Sequence, residues 1–414
     1  MMTAITELNQ LIIYRNLLAN PVVKKLLLFL SGESSEDVRP AVVYDFIRQA
    51  EQLGLAGDVV KSYLLYLISV DENIFSAMAE KTNGQMGDSL FATARQDIAI
   101  LKRFFDNALN HLPGLDMLRQ YQPTSPQNHK ALGELAAYFF ASNAFSPDEA
   151  VRRLIAHYVQ HGCGKAANVA FFRWDSDAGL QGVQNPDPIR LADIVGYEYQ
   201  KSLLIGNTQA FLDGRPANNV LLVGDRGTGK SSSVKALVNE YYMNGLRLIE
   251  VPKYELRHLN KIMDLLPGRG KKYILFLDDL SFEENEAEFK YLKSVIEGGV
   301  GTKPENVLIY ATSNRRHIIR ENWSDSGEKS DDKHRGDTIQ EKISLADRFG
   351  ITLIYTAPSQ DEYLQIVAGI AQRNNIGLSP AELRSEAIKW EMRHSGRSGR
   401  VARQFVQHLL GCRQ

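Results

Sequence analysis

The chain has 414 residues, 44% hydrophobic and 23% charged, which predicts two or three globular domains with ample core. A formal net charge of −1 excludes a global pull toward nucleic acid and leaves only local basic patches for that purpose. Cys163 and Cys412 are far apart and form no C-x-x-C, which predicts no disulfide framework and a reducing, cytoplasmic setting. Met1 to Leu11 lack the basic start and apolar run of a signal peptide. The densest apolar run, Leu26–Leu30, is far too short for a bilayer, so no membrane partner is expected.

Residues 1–165 read as an all-helical N-terminal domain. Val22, Val23, Leu26, Leu27 and Leu30 fall on one helical face. Pro40 opens a helix that passes through Phe46 and stops near Gly54 and Gly57. Val59–Val70 is apolar nearly all round, as a buried helix would be. The pattern continues over 90–109 and 128–141. Ser146-Pro147-Asp148-Glu149 then starts a helix that runs to about His161. His157 and His161 lie one turn apart with Cys163 just beyond, but no further ligand is near, so a solvated helix end is expected rather than a metal site. The domain carries no chemical motif, which points to an interaction or scaffold role. Residues 166–190 read as a linker with short strands: Phe171–Trp174 suits a strand, and Asn185-Pro186-Asp187-Pro188 marks a boundary.

From 191 to 357 helices and strands alternate, as in a parallel α/β sheet. A helix is predicted over Tyr197–Leu212 and strands at 220–223, 247–251, 273–278, 306–311 and 351–355. The apolar run Val220–Val223 leads into Gly224-Asp225-Arg226-Gly227-Thr228-Gly229-Lys230-Ser231-Ser232, a G-x-x-x-x-G-K-[ST] phosphate loop. Its glycines let the backbone turn its N–H groups onto phosphate oxygens, and the next helix offers its positive end. Lys230 adds charge near the β- and γ-phosphates, and Ser231 offers a hydroxyl to Mg²⁺. Tyr273–Asp278 is a near-continuous apolar run ending in Asp278-Asp279. Asp278 is placed to hold Mg²⁺ and Asp279 to orient or activate water, with Glu283 and Glu284 as more solvated substitutes. The following strand ends in Thr312-Ser313-Asn314, turn chemistry by itself, although Asn314 stands where an amide can meet the γ-phosphate or the water. Arg315 and Arg316 follow, either as surface charges or as contacts for a neighbouring subunit or nucleic acid. A polar stretch, 320–342, is expected to be mobile. Phe349 is expected to be buried, and Arg348 to sit at a helix end where a cation suits the dipole.

Residues 358–414 read as three helices. Ser359-Gln360-Asp361-Glu362 is a capping box, Ser379-Pro380 starts the second helix, and Ser398 or Gly399 starts the third. Arg397, Arg400 and Arg403 lie at or near that third start, where a cation opposes the helix dipole unless an anion is near.

Together these residues resemble the AAA+ ATPases. In that superfamily the loop and the acids are Walker A and Walker B. The strand-end asparagine is sensor 1, and the element Arg348-Phe349 carries an arginine finger that reaches a neighbouring subunit's ATP. Arg400 fits sensor 2, with Arg397 second, and the three C-terminal helices form the lid over the nucleotide. The usual second acid is glutamate; Asp279 departs from it. A closer similarity is to a bacterial family of AAA+ ATP-binding proteins with no assigned process, carried by Asp193-Ile194-Val195-Gly196-Tyr197-Glu198, Asp278-Asp279-Leu280-Ser281-Phe282-Glu283, Ala311-Thr312-Ser313-Asn314-Arg315-Arg316-His317 and Gly396–Phe405. The resemblance implies an α/β fold: a parallel-sheet P-loop core with a C-terminal three-helix lid and an N-terminal helical domain. It implies ATP and Mg²⁺ as ligands, with the Ile194–Tyr197 region, Ile194 and Val195 above all, against the adenine. It also implies a homo-oligomer that hydrolyses ATP to change the conformation of a client protein. The alternative is a slowly hydrolysing switch or loader acting on DNA or on a replication or repair protein, motivated by Arg315, Arg316 and the Arg397–Arg403 cluster.

Overall fold

The computed structural model describes residues 2–32, 37–110, 112, 114–127, 129–140, 145–164, 167–183, 185–266, 268–281, 287–297, 304–314, 348–394 and 396–412. They form two compact units, Met1–Asn168 and Val169–Gln414. Glu283, Glu284, Arg315, Arg316 and the 320–342 stretch lie outside the described residues.

The first unit is helical: α1 (Met2–Glu7), α2 (Pro21–Ser31), α3 (Arg39–Leu53), α4 (Val59–Val70), α5 (Ile74–Lys81), α6 (Asp88–Asn107), α7 (Lys130–Phe140) and α8 (Pro147–His161). Asn20 caps α2, Asp58 caps α4 and Asn73 closes a capping box on α5, so the chain's own side chains satisfy the first orphan amides. The apolar faces meet in one core that includes Leu26, Phe46, Leu65, Phe75, Phe105 and Phe139. Tyr14 and Tyr158 are fully buried there and share a hydrogen bond of 3.2 Å between their hydroxyls. Asp97 on α6 is also fully buried, and its carboxylate accepts the amides of Ile12, Ile13 and Tyr14. The end of α8 is not the solvated end expected. His157 and Cys163 are buried, and the Cys163 amide and thiol both point at Glu80 Oε2, at 3.3 and 3.5 Å. Among the described residues no group of three or more His, Cys, Asp or Glu is arranged to hold a metal ion.

The second unit is built on a seven-stranded sheet: β1 (Phe171–Asp175), β2 (Gly179–Gly182), β3 (Val220–Gly224), β4 (Leu246–Glu250), β5 (Lys272–Leu277), β6 (Val307–Ser313) and β7 (Ile351–Tyr355), in the order β2-β1-β4-β5-β6-β3-β7. All pairings are parallel except the β1–β2 hairpin. The stretch expected as a linker with short strands holds β1 and β2, which extend the sheet: β1 runs parallel beside β4. Every residue of β3 and β6 is buried, as the apolar runs require of strands covered on both faces. β3 lies between β6 and β7, with Leu222 opposite Thr312 and Gly224 opposite Tyr355. The carboxyl ends of these three strands therefore meet at one place.

Around the sheet lie α9 (Glu198–Leu212), α10 (Lys230–Tyr241), α11 (Leu259–Asp264) and α12 (Ala287–Glu297). The chain ends in α13 (Gln360–Arg373), α14 (Pro380–Arg393) and α15 (Gly399–Gly411). Capping boxes at Ser359/Glu362 and Ser379/Glu382 start the first two, and Ser398 Oγ accepts the Val401 amide at the start of α15. Tyr363, Val367, Ala387, Ala402 and Phe405 form a separate small core. This is the AAA+ fold, a parallel P-loop sheet with a helical lid. No described helix is long and apolar enough to cross a membrane.

Removing the Asp97 carboxylate would leave the amides of Ile12, Ile13 and Tyr14 without their acceptor, the last two of them buried. We expect Asp97→Ala to lower the stability of the N-terminal unit by about 3 kcal/mol, read as a shift of the urea midpoint.

Candidate functional site

Gly224 ends β3 with φ +136°, and a Cβ there would stand 1.9 Å from the Tyr355 carbonyl oxygen. Only glycine fits, so the loop leaves the sheet pressed against β7. The Asp225 amide then donates to Tyr355 O (3.0 Å), and the Asp225 carboxylate accepts the Ala357 amide (2.8 Å). Thr228, buried, donates its hydroxyl to Asp225 O (2.8 Å) and closes the loop. Gly229, at φ +98°, turns the chain into α10, whose first residues are Lys230, Ser231, Ser232 and Ser233. Tyr355 donates to Ser233 Oγ at 3.1 Å; burial pushes its phenol up to about 12, so it stays protonated.

Lys230 is 5% exposed. Its ammonium donates to Gly224 O (2.9 Å), Asp225 O (2.7 Å) and Asn314 Oδ1 (3.0 Å). Burial pulls its pKa below the ordinary lysine value, against the upward pull of Asp225, Asp279 and Asp278.

The two acids follow β5 directly. Ser231 Oγ donates to Asp278 Oδ1 at 2.6 Å, and Thr312 Oγ1 donates to the same oxygen at 2.6 Å. Asp279 has φ +54°, and Asn314 Nδ2 donates to its carboxylate. Asn314 therefore bridges Lys230 and Asp279. Asp278 and Asp279 are both exposed to the cleft. A serine hydroxyl against a carboxylate is a hard oxygen donor set, and it fits Mg²⁺.

These groups line one cleft of about 820 Å³. Its polar end holds Arg226, Gly227, Thr228, Gly229, Lys230, Ser231, Ser232, Asp278, Asp279 and Asn314. Its apolar wall is Ile189, Ile194 and Val195 from the segment before α9, facing Ile366 and Ile370 on α13. Arg400, Arg403, Gln404 and Gln407 line it from α15, spaced as one helical face. The start of α15 is seated on the loop itself. The Arg400 amide donates to Gly227 O (3.3 Å), and a Cβ on Gly227 would meet Ser398 Oγ at 2.9 Å and Arg400 Cβ at 3.1 Å.

The structure thus brings together Ile194, Val195, Arg226–Ser232, Asp278, Asp279, Asn314 and Arg400. Gly224 and Asp225 shape the loop and supply carbonyls to Lys230. Arg397 is not in the cleft; it pairs with Glu391 at 2.8 Å. Arg348 is exposed and stands three residues before the start of β7, at the end of the sheet opposite the loop. Phe349 is fully buried. Sequence reasoning did not assign Ile366, Ile370, Gln404 or Gln407 to the site, and it left Thr312 as turn chemistry. The i, i+4 spacing of the two isoleucines and the i, i+4, i+7 spacing of Arg400, Gln404 and Gln407 are the signals that were available.

Fold and site define a P-loop α/β protein of AAA+ architecture. Residues 167–413 match the family described as "Protein of unknown function (DUF815)", and the chain belongs to that family. Similar solved structures include the Thermotoga maritima RuvB Holliday junction branch migration motor, at 18% identity over 53% of this chain and 63% of that one, with a TM-score of 0.37. A proline-to-glycine mutant of RuvB from the same organism matches at 19% identity over 53% and 64%, with a TM-score of 0.37. A lysine-to-arginine mutant matches at 16% identity over 53% and 72%, with a TM-score of 0.34. The chain spans less than two thirds of the length of the first of these. No curated protein matches it.

Because Gly227 has φ +77° and no room for a Cβ, we expect Gly227→Ala to unseat α15 from the loop. Nucleotide affinity should fall at least about tenfold in equilibrium binding with a fluorescent ATP analogue, a cost of roughly 1.4 kcal/mol or more. Limited proteolysis should cut the lid faster.

Proposed function

We propose that this chain binds ATP with Mg²⁺ and hydrolyses it to ADP and phosphate as part of a homo-oligomer, driving a conformational change in a client protein. The observation that carries this reading is the hydrogen-bonded chain Lys230–Asn314–Asp279, which ties the phosphate loop to a candidate base. The apolar wall of Ile189, Ile194, Val195, Ile366 and Ile370 suits a flat base, and the loop amides suit the phosphates. Ser231 and Asp278 would hold Mg²⁺, which when bound neutralises charge on the β- and γ-phosphates. Lys230 keeps a cation beside the same oxygens. Asp279 orients the attacking water and takes its proton; Asn314 directs the water and contacts the γ-phosphate. Arg400, at the start of α15, reads the γ-phosphate from the lid.

Arg348 has another part. It precedes a five-residue strand whose far end meets Gly224, and at about 3.3 Å per residue that is roughly 16 Å from its own loop. An arginine there serves a neighbouring subunit's nucleotide. The alternative, a slow ATP-dependent switch, draws on Asp279 being one methylene shorter than glutamate. Its DNA version loses part of its motive, since Arg397 is paired with Glu391 and Arg400 and Arg403 face the cleft.

The rate per subunit should rise with protein concentration across the assembly range. Arg348→Ala should lower kcat by about 10³-fold or more, as loss of an arginine supplied in trans does, with ATP affinity little changed. A concentration-independent rate that the substitution leaves intact would refute the oligomeric reading. Asp279→Asn should bind ATP and retain it unhydrolysed through gel filtration; release of ADP at the wild-type rate would remove Asp279 from the mechanism. Filter binding of single- and double-stranded DNA at two salt concentrations separates the alternative, which requires ATP-dependent, salt-sensitive retention.

A further inference from the structure

Asp279 is the one described residue of the acid turn that takes a left-handed backbone, φ +54°, a conformation sparsely populated by side-chain-bearing residues and held only when its surroundings demand it. The restraint comes from the end of β6. In the parallel pairing of β5 with β6, Leu277 lies opposite Ala311, so the next step brings Thr312 alongside Asp278. Four hydrogen bonds join the two ends. The Asp279 amide donates to Thr312 Oγ1 (2.9 Å), and Thr312 Oγ1 donates to Asp278 Oδ1 (2.6 Å). The Leu280 amide donates to Thr312 O (2.7 Å), and Ser313 Oγ donates to Leu280 O (2.7 Å). Thr312 and Ser313 are almost wholly buried, at 2% and 0% exposure, so water does not compete for these bonds.

The Thr312 hydroxyl has a single proton and is committed. Because it accepts from the Asp279 amide, its proton is left to point at Asp278. One side chain thereby fixes the backbone of one acid and the carboxylate of the other. The length of the second acid makes this matter. An aspartate has two side-chain torsions and little reach, so the place of its carboxylate follows the backbone closely. Turned out of the left-handed region, Asp279 would no longer present its carboxylate to Asn314.

We infer that Thr312 is a positioning residue for the hydrolytic site: its hydroxyl aims the Asp279 carboxylate at the water position and orients Asp278 toward the cation. This rests on the reading of Asp278 as cation ligand and Asp279 as base.

Thr312→Val keeps the shape and removes the hydroxyl; Thr312→Ala is the second hydroxyl-free variant, should valine fail to fold. Both should lower kcat by about 10–100-fold, the usual cost of losing a group that orients a metal ligand. Binding of a fluorescent ATP analogue in EDTA should stay within about twofold of wild type, so that the loss falls on kcat and not on uniform binding. The Mg²⁺ concentration giving half-maximal enhancement of that binding should rise about tenfold. Thr312→Ser should recover both within about threefold. A purely structural role would instead weaken binding in EDTA and lower the melting temperature without moving the Mg²⁺ dependence. The inference fails if the hydroxyl-free variants keep wild-type Mg²⁺ dependence, or if serine does not restore it. If wild type itself shows no hydrolysis, the enzymatic reading falls, and the Mg²⁺ dependence of binding still decides the part played by Thr312.

Discussion

The three donors of the Lys230 ammonium meet three acceptors, two carbonyls of its own loop and the amide oxygen of Asn314. A cation in that degree of burial would be costly if its protons were unmet. Here they are met by neutral groups, while the carboxylates of Asp225, Asp279 and Asp278 favour the cation from nearby without bonding to it. The rest of the site is built to keep this arrangement in place. Gly224 lies flat on the Tyr355 carbonyl, Thr228 draws the loop closed, and β6 stands beside β3 so that Asn314 reaches across. Phosphate oxygens arriving at the loop offer Lys230 better acceptors than Asn314, and Asn314 is also the group that holds Asp279. In the proposed function, occupancy of the loop and the place of the Asp279 carboxylate would thus be joined through one amide.

The lid is coupled to the same loop by a second route. The start of α15 rests on Gly227, where a missing Cβ gives Ser398 and Arg400 their place. Arg400 sits in the first turn of that helix, at the end where a cation is unfavourable. Its side chain, with those of Arg403, Gln404 and Gln407, makes no hydrogen bond or ion pair with any described residue. Four cations, Arg226, Lys230, Arg400 and Arg403, thus face two carboxylates, Asp278 and Asp279, in the cleft; Asp193 is engaged by Arg373. Among these lining groups positive charge exceeds negative, which suits an anion such as a magnesium-bound triphosphate. Under the proposed function, such an anion would relieve the unfavourable placement of Arg400, and lid and nucleotide would stabilise one another.

The loop, both acids and Asn314 were legible in the sequence because each follows a strand recognisable as an apolar run, and the strand's end fixes where the next side chain stands. The lid helices were legible from their caps. Other features depended on contacts that no local pattern encodes. β2, Gly179-Leu180-Gln181-Gly182, has two glycines and no β-branched residue; it becomes a strand because Asp175 accepts the amides of Asp177 and Ala178 and turns the chain back onto β1. Thr312 reads as turn chemistry until the register of β5 against β6 places it beside Asp278. His157 and Cys163 look like a solvated helix end until Glu80, on a different helix, is brought to the Cys163 amide. In each case the missing information was a partner distant in sequence.

Arg348 shows a different kind of gap. The motif gave its residue type, and the sheet gives its position, before β7 and at the end away from the loop. Strand length alone keeps it from its own nucleotide, because the register of β3 with β7 runs unbroken from Val220 opposite Ile351 to Gly224 opposite Tyr355. Buried Phe349 anchors the segment next to it, and Gly350 turns at φ +73° against the Asn218 side chain. The base of the strand therefore fixes where this arginine is presented, while the carboxyl end fixes everything it would act upon. With Asp278, Asp279 and Asn314 at one end of the sheet and Arg348 at the other, the proposed function requires two such sheets side by side to complete the site.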